Sequence, residues 1–255
     1  MDQGLVVDEV GSGSALVLLG GCPTPAVYSG RLAAALSDGF RVLTPHLPGY
    51  DVSPSLPHPY ELARFIELLE DELVARGIES AHVVGSSLGA WRALMFALRA
   101  QRVRVRSVVS LGGLAGLSDA ERAGFREFAG ALRAGIDLRD AFPPRFLSEA
   151  HAQNHPADVE AVRAWIDAAP ASVIAAELEA TADEPDLYDD LADLEVPVLA
   201  RVGESDAATP PSHSRLIVQA APNSELQLVA GAGHALLYED LAGTAAAVRA
   251  WISNA

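Results

Sequence analysis

Ala81-His82-Val83-Val84-Gly85-Ser86-Ser87-Leu88-Gly89-Ala90 runs an apolar strand into a Gly-x-Ser-x-Gly pattern, and an apolar helix without proline follows from Leu88 to about Arg99. Strand, turn and helix meet within five residues, so Ser87 sits at a sharp corner. A side chain at such a corner projects above the C-terminal edge of a parallel sheet, usually on a strained backbone. Gly85 and Gly89, two residues to either side, let strand and helix approach because they carry no Cβ. This layout is a nucleophile elbow, and it makes Ser87 rather than Ser86 the candidate nucleophile. The same residues also serve as ordinary turn chemistry in an Ala- and Gly-rich chain, so the reading needs partners for Ser87 elsewhere.

Outward from the elbow, strands and helices alternate. Leu5 to Val10 and Ala15 to Leu19 read as strands around the Gly11-Ser12-Gly13 turn, and Ala26 to Leu36 as a helix. Phe40 to Leu43 is a short strand, and Tyr60 to Ala75 an amphipathic helix stopped at Gly77. Val103 to Ser110 is the next strand. After the elbow half, Val196 to Val202 and Leu226 to Val229 read as strands, with helices over Pro210 to Ala220 and Leu241 to Ile252. Such alternation predicts an α/β fold, a mostly parallel, doubly wound sheet covered on both faces. Residues 114–194 break the pattern. They lack a convincing strand and read as a four-helix cap inserted late in the sheet, opened by the capping box Ser118-Asp119-Ala120-Glu121, with Pro143, Pro156 and Pro170 near the starts of further segments. The expected division is a core of 1–113 and 195–255 and a cap of 114–194.

Composition narrows the functions. The chain has 255 residues, half of them hydrophobic, with no apolar run near the ~18–20 residues that cross a membrane. Met1-Asp2-Gln3-Gly4 lacks the basic start and apolar run of a signal peptide, so a cytoplasmic location is expected. The single cysteine, Cys22, excludes an internal disulfide and offers no cysteine-based metal cluster. All 18 basic residues are Arg, and the net charge is −16. Nucleic acid and anionic membrane are therefore poor partners. The absence of Lys removes Schiff-base and lysine-base chemistry. No cofactor and no metal are expected.

A serine hydroxyl needs a base, and the base an orienting acid. Of the seven His, only His234 stands in a glycine-rich loop, Ala230-Gly231-Ala232-Gly233-His234, just past a strand end. In a parallel sheet that is the edge where Ser87 emerges. His46 is the runner-up, although the Pro-Gly turn after it suits a loop brace; His82 lies at the opposite edge. For the acid, Gly203-Glu204-Ser205-Asp206 also follows a strand. Asp206, next to the Thr209-Pro210-Pro211 helix start, is preferred to Glu204, with a plain helix cap as its alternative role. The tetrahedral oxyanion needs two donors. The N–H of Leu88, at a helix N-terminus, is one, and the N–H of Cys22, after the strand ending at Leu19, is the other.

With these residues in place the chain resembles the α/β-hydrolase fold family over residues 4–113 and 195–253. Pro45-His46-Leu47-Pro48-Gly49-Tyr50-Asp51-Val52-Ser53 is similar to the family's D-x-P-G-x-G-x-S loop, with His46 where Asp is usual. Gly20-Gly21-Cys22-Pro23 is similar to its H-G-x-P oxyanion loop, with Gly20 in place of the His. Only one strand precedes Ala15, so the family's usual first strand is missing. Cap size and the Gly-Ala-Gly-His234 tail resemble 3-oxoadipate enol-lactonases and small carboxylesterases. Ser87 stands where haloalkane dehalogenases and epoxide hydrolases have Asp, and the lysine of hydroxynitrile lyases has no counterpart.

The resemblance implies a serine hydrolase of carboxylic esters or lactones, acting through Ser87, His234 and Asp206 with Cys22 and Leu88 as oxyanion donors. Thioester or carbon–carbon cleavage by the same triad, and a non-catalytic ligand-binding protein on this fold, remain open. Phe125, Phe128, Phe142, Phe146 and Trp165 are available to a substrate pocket or to the packing of the cap itself. The expected partner is a small-molecule ester, lactone or thioester, and a homodimer stays open.

Overall fold

The computed structural model describes residues 5–56 and 60–254; Met1-Asp2-Gln3-Gly4 and His58 lie outside the described residues. The chain opens with β1 (Val7–Gly11), β2 (Ser14–Leu19), α1 (Ala26–Leu36) and β3 (Phe40–Pro45). It continues through α2 (Leu62–Ala75), β4 (Ser80–Ser86), α3 (Leu88–Arg99) and β5 (Arg104–Leu111). A helical stretch follows: α4 (Asp119–Arg133), α5 (Pro143–Phe146), α6 (Glu149–Asn154), α7 (Pro156–Arg163), α8 (Ala171–Asp183) and α9 (Tyr188–Leu191). The sheet is then completed by β6 (Val198–Gly203), α10 (Pro211–Ala220) and β7 (Ser224–Val229), and the chain ends in α11 (Leu236–Glu239) and α12 (Leu241–Asn254). Among the described residues no helix is long and apolar enough to cross a membrane.

The seven strands lie in the order β1-β3-β2-β4-β5-β6-β7. β1 runs antiparallel to β3, and every other neighbouring pair is parallel. Period-2 alternation explains why both faces need cover. Leu16, Leu18, Val84, Val109 and Leu199 face one side with Leu32 and Leu36 of α1 and Val248 of α12. Val17, Leu19, Val83, Val108 and Val198 face the other, with Phe65 and Leu69 of α2, Trp91 of α3 and Ile217 of α10. The chain leaves β2 for α1 on one face and leaves β4 for α3 on the other. A crevice therefore opens above the C-terminal ends of these adjacent strands, where ligands of open α/β sheets bind.

The helical stretch differs from the expectation. Six α-helices and two 3₁₀ turns (Arg139–Ala141, Ala164–Asp167) occupy it among the described residues, instead of four helices. Prolines cut it into pieces. Pro143 and Pro156 sit in the first turns of α5 and α7, and Pro170 immediately precedes α8. Each lacks the N–H that would continue a preceding helix. Only α4 and α8 are long. The capping box of α4 forms as expected, with Ser118 and Glu121 bonding each other's backbone.

The elbow depends on missing side chains. A Cβ on Gly85 would lie 2.2 Å from the Gly89 carbonyl oxygen, and one on Gly89 would lie 2.1 Å from the Leu19 oxygen. Both obstacles are backbone and cannot rotate away. Gly89→Ala is expected to cost about 3 kcal/mol, lowering Tm by roughly 6–12 °C in a chain of this size. A melt within a degree or two of the parent would show that β2 and α3 are not packed this closely.

His82, on β4, is buried and its Nδ1 lies 2.7 Å from Ser107 Oγ on β5. Burial, with the Arg106 guanidinium nearby, pushes its imidazole from 6.5 down to about 4. As pH falls through 6.5 the unfolded chain takes up a proton that the folded protein refuses, so stability drops between pH 6.5 and 4. His82→Gln is expected to flatten that part of the pH profile. Melts at pH 7, 5 and 4 with equal slopes in both proteins would refute it.

Candidate active site

Ser87 joins β4 to α3 with φ 57° and ψ −126°, one of two non-glycine residues with positive φ among those described. Such strain costs about 1–3 kcal/mol and persists only where neighbours enforce it. Here the Ser87 N–H donates to the Leu111 oxygen on β5, and the Ala90 N–H donates to the Ser87 oxygen, each at 2.9 Å. Leu88 is the first residue of α3, so its N–H has no carbonyl within the helix to bond and lies at the positive end of the dipole. The loop after β2 presses on the serine: a Cβ on Gly21 would lie 2.7 Å from Ser87 Cβ. Cys22, Ser87 and Leu88 all line one cavity.

His234 and Asp206 meet at the same sheet edge. His234 Nδ1 lies 2.8 Å from Asp206 Oδ2, and both residues are almost wholly buried. Asp206 is pinned by its other oxygen, to which the Ala208 and Thr209 N–H groups donate at 3.0 and 2.8 Å. Its helix-start geometry and its contact with His234 thus use different oxygens of one carboxylate. A carboxylate on Nδ1 holds the ring proton there and leaves Nε2 the lone pair that a general base requires. Glu204 is exposed, while Asp206 is not. The runner-up base has another occupation. His46 Nε2 is 3.0 Å from Asp8 Oδ2 and Nδ1 is 3.5 Å from Asp51 Oδ2, which ties β1 to the loop after β3.

The cavity holds about 410 Å³, the size of a small-ligand site. Phe125 and Phe128 of α4, and Phe142 and Phe146 around α5, form much of its wall. Of the two roles open to these aromatics, Trp165 takes packing: it is not among the lining residues and lies on Tyr28, Phe146 and Tyr238. Glu121, Arg145 and His213 also stand on the wall, and Glu121 Oε1 lies 2.7 Å from His213 Nε2.

The α/β hydrolase fold family's sequence profile matches residues 14–241. The chain belongs to this family. Among solved structures it resembles a thermophilic esterase from Thermogutta terrifontis at 26% identity and TM-score 0.91, covering 98% of this chain and 93% of that one. A hydrolase from Pseudomonas aeruginosa PA01 is 27% identical with a TM-score of 0.89, covering 97% and 94%. An enol-lactonase from Burkholderia xenovorans LB400 shares the fold at 22% identity and TM-score 0.89, covering 98% and 96%.

Seen as an α/β hydrolase, the chain sets two residues not foreseen from the sequence, Thr209 and Gly112, around His234 and Asp206, besides Phe146. Thr209 Oγ1 donates to the Gly112 oxygen at 2.6 Å and lies 3.0 Å from His234 Nδ1. A Cβ on Gly112 would come within 2.9 Å of Asp206 Oδ2, so the turn after β5 must be bare for Asp206 and His234 to meet. The ring of Phe146 stands edge-on to the imidazole of His234, with centroids 5.0 Å apart. Asp-x-x-Thr before a helix is the signal that could have flagged Thr209, since an aspartate there bonds the N–H three residues on. Away from the cavity wall, His151, His155 and Asp158 on α6, the junction and α7 bring ligand atoms within 4.8 Å of one another. The two imidazoles are stacked, and His151 Nε2 already contacts Asp158.

Proposed function

We propose that this α/β hydrolase is a serine hydrolase of small, largely apolar carboxylic esters or lactones. The buried His234–Asp206 pair carries this reading, at the sheet edge that also bears a strained Ser87 on a cavity wall. Ser87 Oγ attacks the carbonyl carbon as His234 Nε2 takes its proton. The oxyanion accepts from the Leu88 and Cys22 N–H groups. His234 then returns the proton to the departing oxygen, an alcohol for an ester and the opened ring's hydroxyl for a lactone. Water, activated by the same imidazole, releases the acid. Asp206 keeps the proton on Nδ1 throughout. Residues 114–194 serve as a cap over the core of 1–113 and 195–255, and their phenylalanines favour an apolar acyl group. The Cys22 thiol takes no part, because burial pushes it up to about 11.

Turnover of p-nitrophenyl acetate, p-nitrophenyl butyrate and a simple lactone tests the reading, together with mass mapping of a fluorophosphonate adduct. The adduct is expected on the peptide carrying Ser87. Tight ligand binding with neither turnover nor a Ser87 adduct would favour a non-catalytic binding protein instead.

A further inference from the structure

Gly20 leaves the oxyanion loop without the side chain that the family's H-G-x-P pattern supplies, and the structure has room for one. A Cβ there would meet nothing closer than Ser29 Oγ and the Thr24 oxygen, both at 3.8 Å. The loop is held instead by a polar circuit beneath it. Arg92, on α3 five residues after Ser87, is completely buried, and its Nη1 donates to the Gly20 carbonyl oxygen at 2.9 Å. The same guanidinium pairs with the carboxylate of Glu177, also completely buried, on α8 of the helical stretch. The Tyr50 hydroxyl donates to Glu177 Oε2 at 2.5 Å, and the phenol oxygen lies 3.3 Å from Cys22 Sγ. A phenol has a single proton, so with that proton on the carboxylate the thiol supplies the hydrogen between Tyr50 and Cys22.

The circuit starts on Gly20 and ends on Cys22, the residues flanking the glycine that presses on Ser87. A buried ion pair is a poor way to add stability, because desolvation offsets the attraction and apolar residues of the same volume pack as well. What a guanidinium does that apolar residues cannot is hold a carbonyl in one direction. Arg92 fixes the Gly20 oxygen, and the Thr24 N–H donates to the Gly21 oxygen at 3.2 Å. In a planar trans peptide the Cys22 N–H then points opposite to the Gly21 oxygen.

We propose that Arg92, Glu177 and Tyr50 are positioning residues, a buried network that sets the oxyanion loop against Ser87 and couples it to helix α8. The role in turnover rests on the hydrolase reading; the hold on the loop does not. The network ties the cap segment to the donor geometry, so displacement of α8 would loosen the site that it covers.

The test replaces both charges with apolar isosteres, Arg92→Met with Glu177→Met, so that neither partner is left charged and alone. Cys22 is the chain's single cysteine, and its modification by a disulfide reagent in the folded protein reports the loop directly. Kinetics on p-nitrophenyl butyrate and inhibition by an alkyl trifluoromethyl ketone report the oxyanion geometry. With far-UV dichroism unchanged, Cys22 is expected to react at least tenfold faster. kcat is expected to fall about 10- to 100-fold with KM within threefold, and the ketone's inhibition constant to rise by the factor that kcat/KM loses. Tyr50→Phe, which frees only the Cys22 end, is expected to speed thiol modification while losing less of kcat. A folded double variant with Cys22 protected as in the parent overturns the network. Faster thiol reaction with kcat unchanged in a parent that turns over, or a kcat loss without weaker ketone binding, overturns its role in positioning. The thiol measurement decides the hold on the loop even if the parent hydrolyses nothing, so a wrong hydrolase reading and a wrong network give different results.

Discussion

Ser87→Ala is expected to lower ester turnover by about 10⁴- to 10⁶-fold, the range found when one member of a serine triad is removed, with the fold unchanged. The substitution removes Oγ alone. Cβ remains at the corner, the Ser87 N–H still donates to the Leu111 oxygen, and Gly21, Gly85 and Gly89 still clear the space around it. The chain's single thiol, on Cys22, lies on the same cavity wall, but burial pushes it up to about 11, so it stays in the unreactive protonated form at pH 8. The residual rate should therefore be that of oxyanion binding and proximity, and it should not respond to thiol reagents. kcat on p-nitrophenyl butyrate beside a thermal melt gives the measurement. Turnover within tenfold of the parent, or loss of turnover only through loss of the fold, would remove Ser87 from the mechanism.

The strands that place the site could be read from the sequence because each obeys a short-range rule. Val83 and Val84, or Val108 and Val109, face opposite sides of the sheet and both sides are covered, so each strand reads as a short continuous apolar run bounded by turn residues. Ser87, Asp206 and His234 each follow such a strand, so strand ends alone predict which side chains share an edge. Arg92 and Glu177 follow no such rule. They are 85 residues apart in sequence and meet only through the tertiary fold. One signal was available: Arg92 is a charge inside an otherwise apolar helix, and a buried guanidinium requires an acceptor. Which acceptor could not be known. The helical stretch was legible in kind but not in number, since pieces as short as α5 and α9 are held by packing rather than by propensity. Trp165 shows the same limit. Its aromatic character suits a pocket or a core equally, and only the placement of Tyr28 and Tyr238 puts it in the core.

Asp206→Asn is the change that most directly asks whether His234 is an oriented base. An Asn at 206 can keep its amide oxygen on the Ala208 and Thr209 N–H groups, which now bond Asp206 Oδ1. The NH₂ group then occupies the place of Oδ2 and points a donor at His234 Nδ1. That nitrogen must become an acceptor, which moves the ring proton to Nε2, the atom that has to receive the proton of Ser87. The Thr209 hydroxyl, whose proton goes to the Gly112 oxygen 2.6 Å away, is left only as a neutral acceptor for Nδ1–H at 3.0 Å, a weaker partner than the carboxylate that is lost. The backbone bonds and the volume are unchanged, so the melt should stay within a few degrees of the parent while kcat falls about 10⁴-fold, the cost of a wrong tautomer in a serine triad. An Asp206→Asn variant within tenfold of the parent at pH 7.5 would mean that His234 takes its orientation from elsewhere, with Thr209 and the edge-on ring of Phe146 the remaining groups in contact with it.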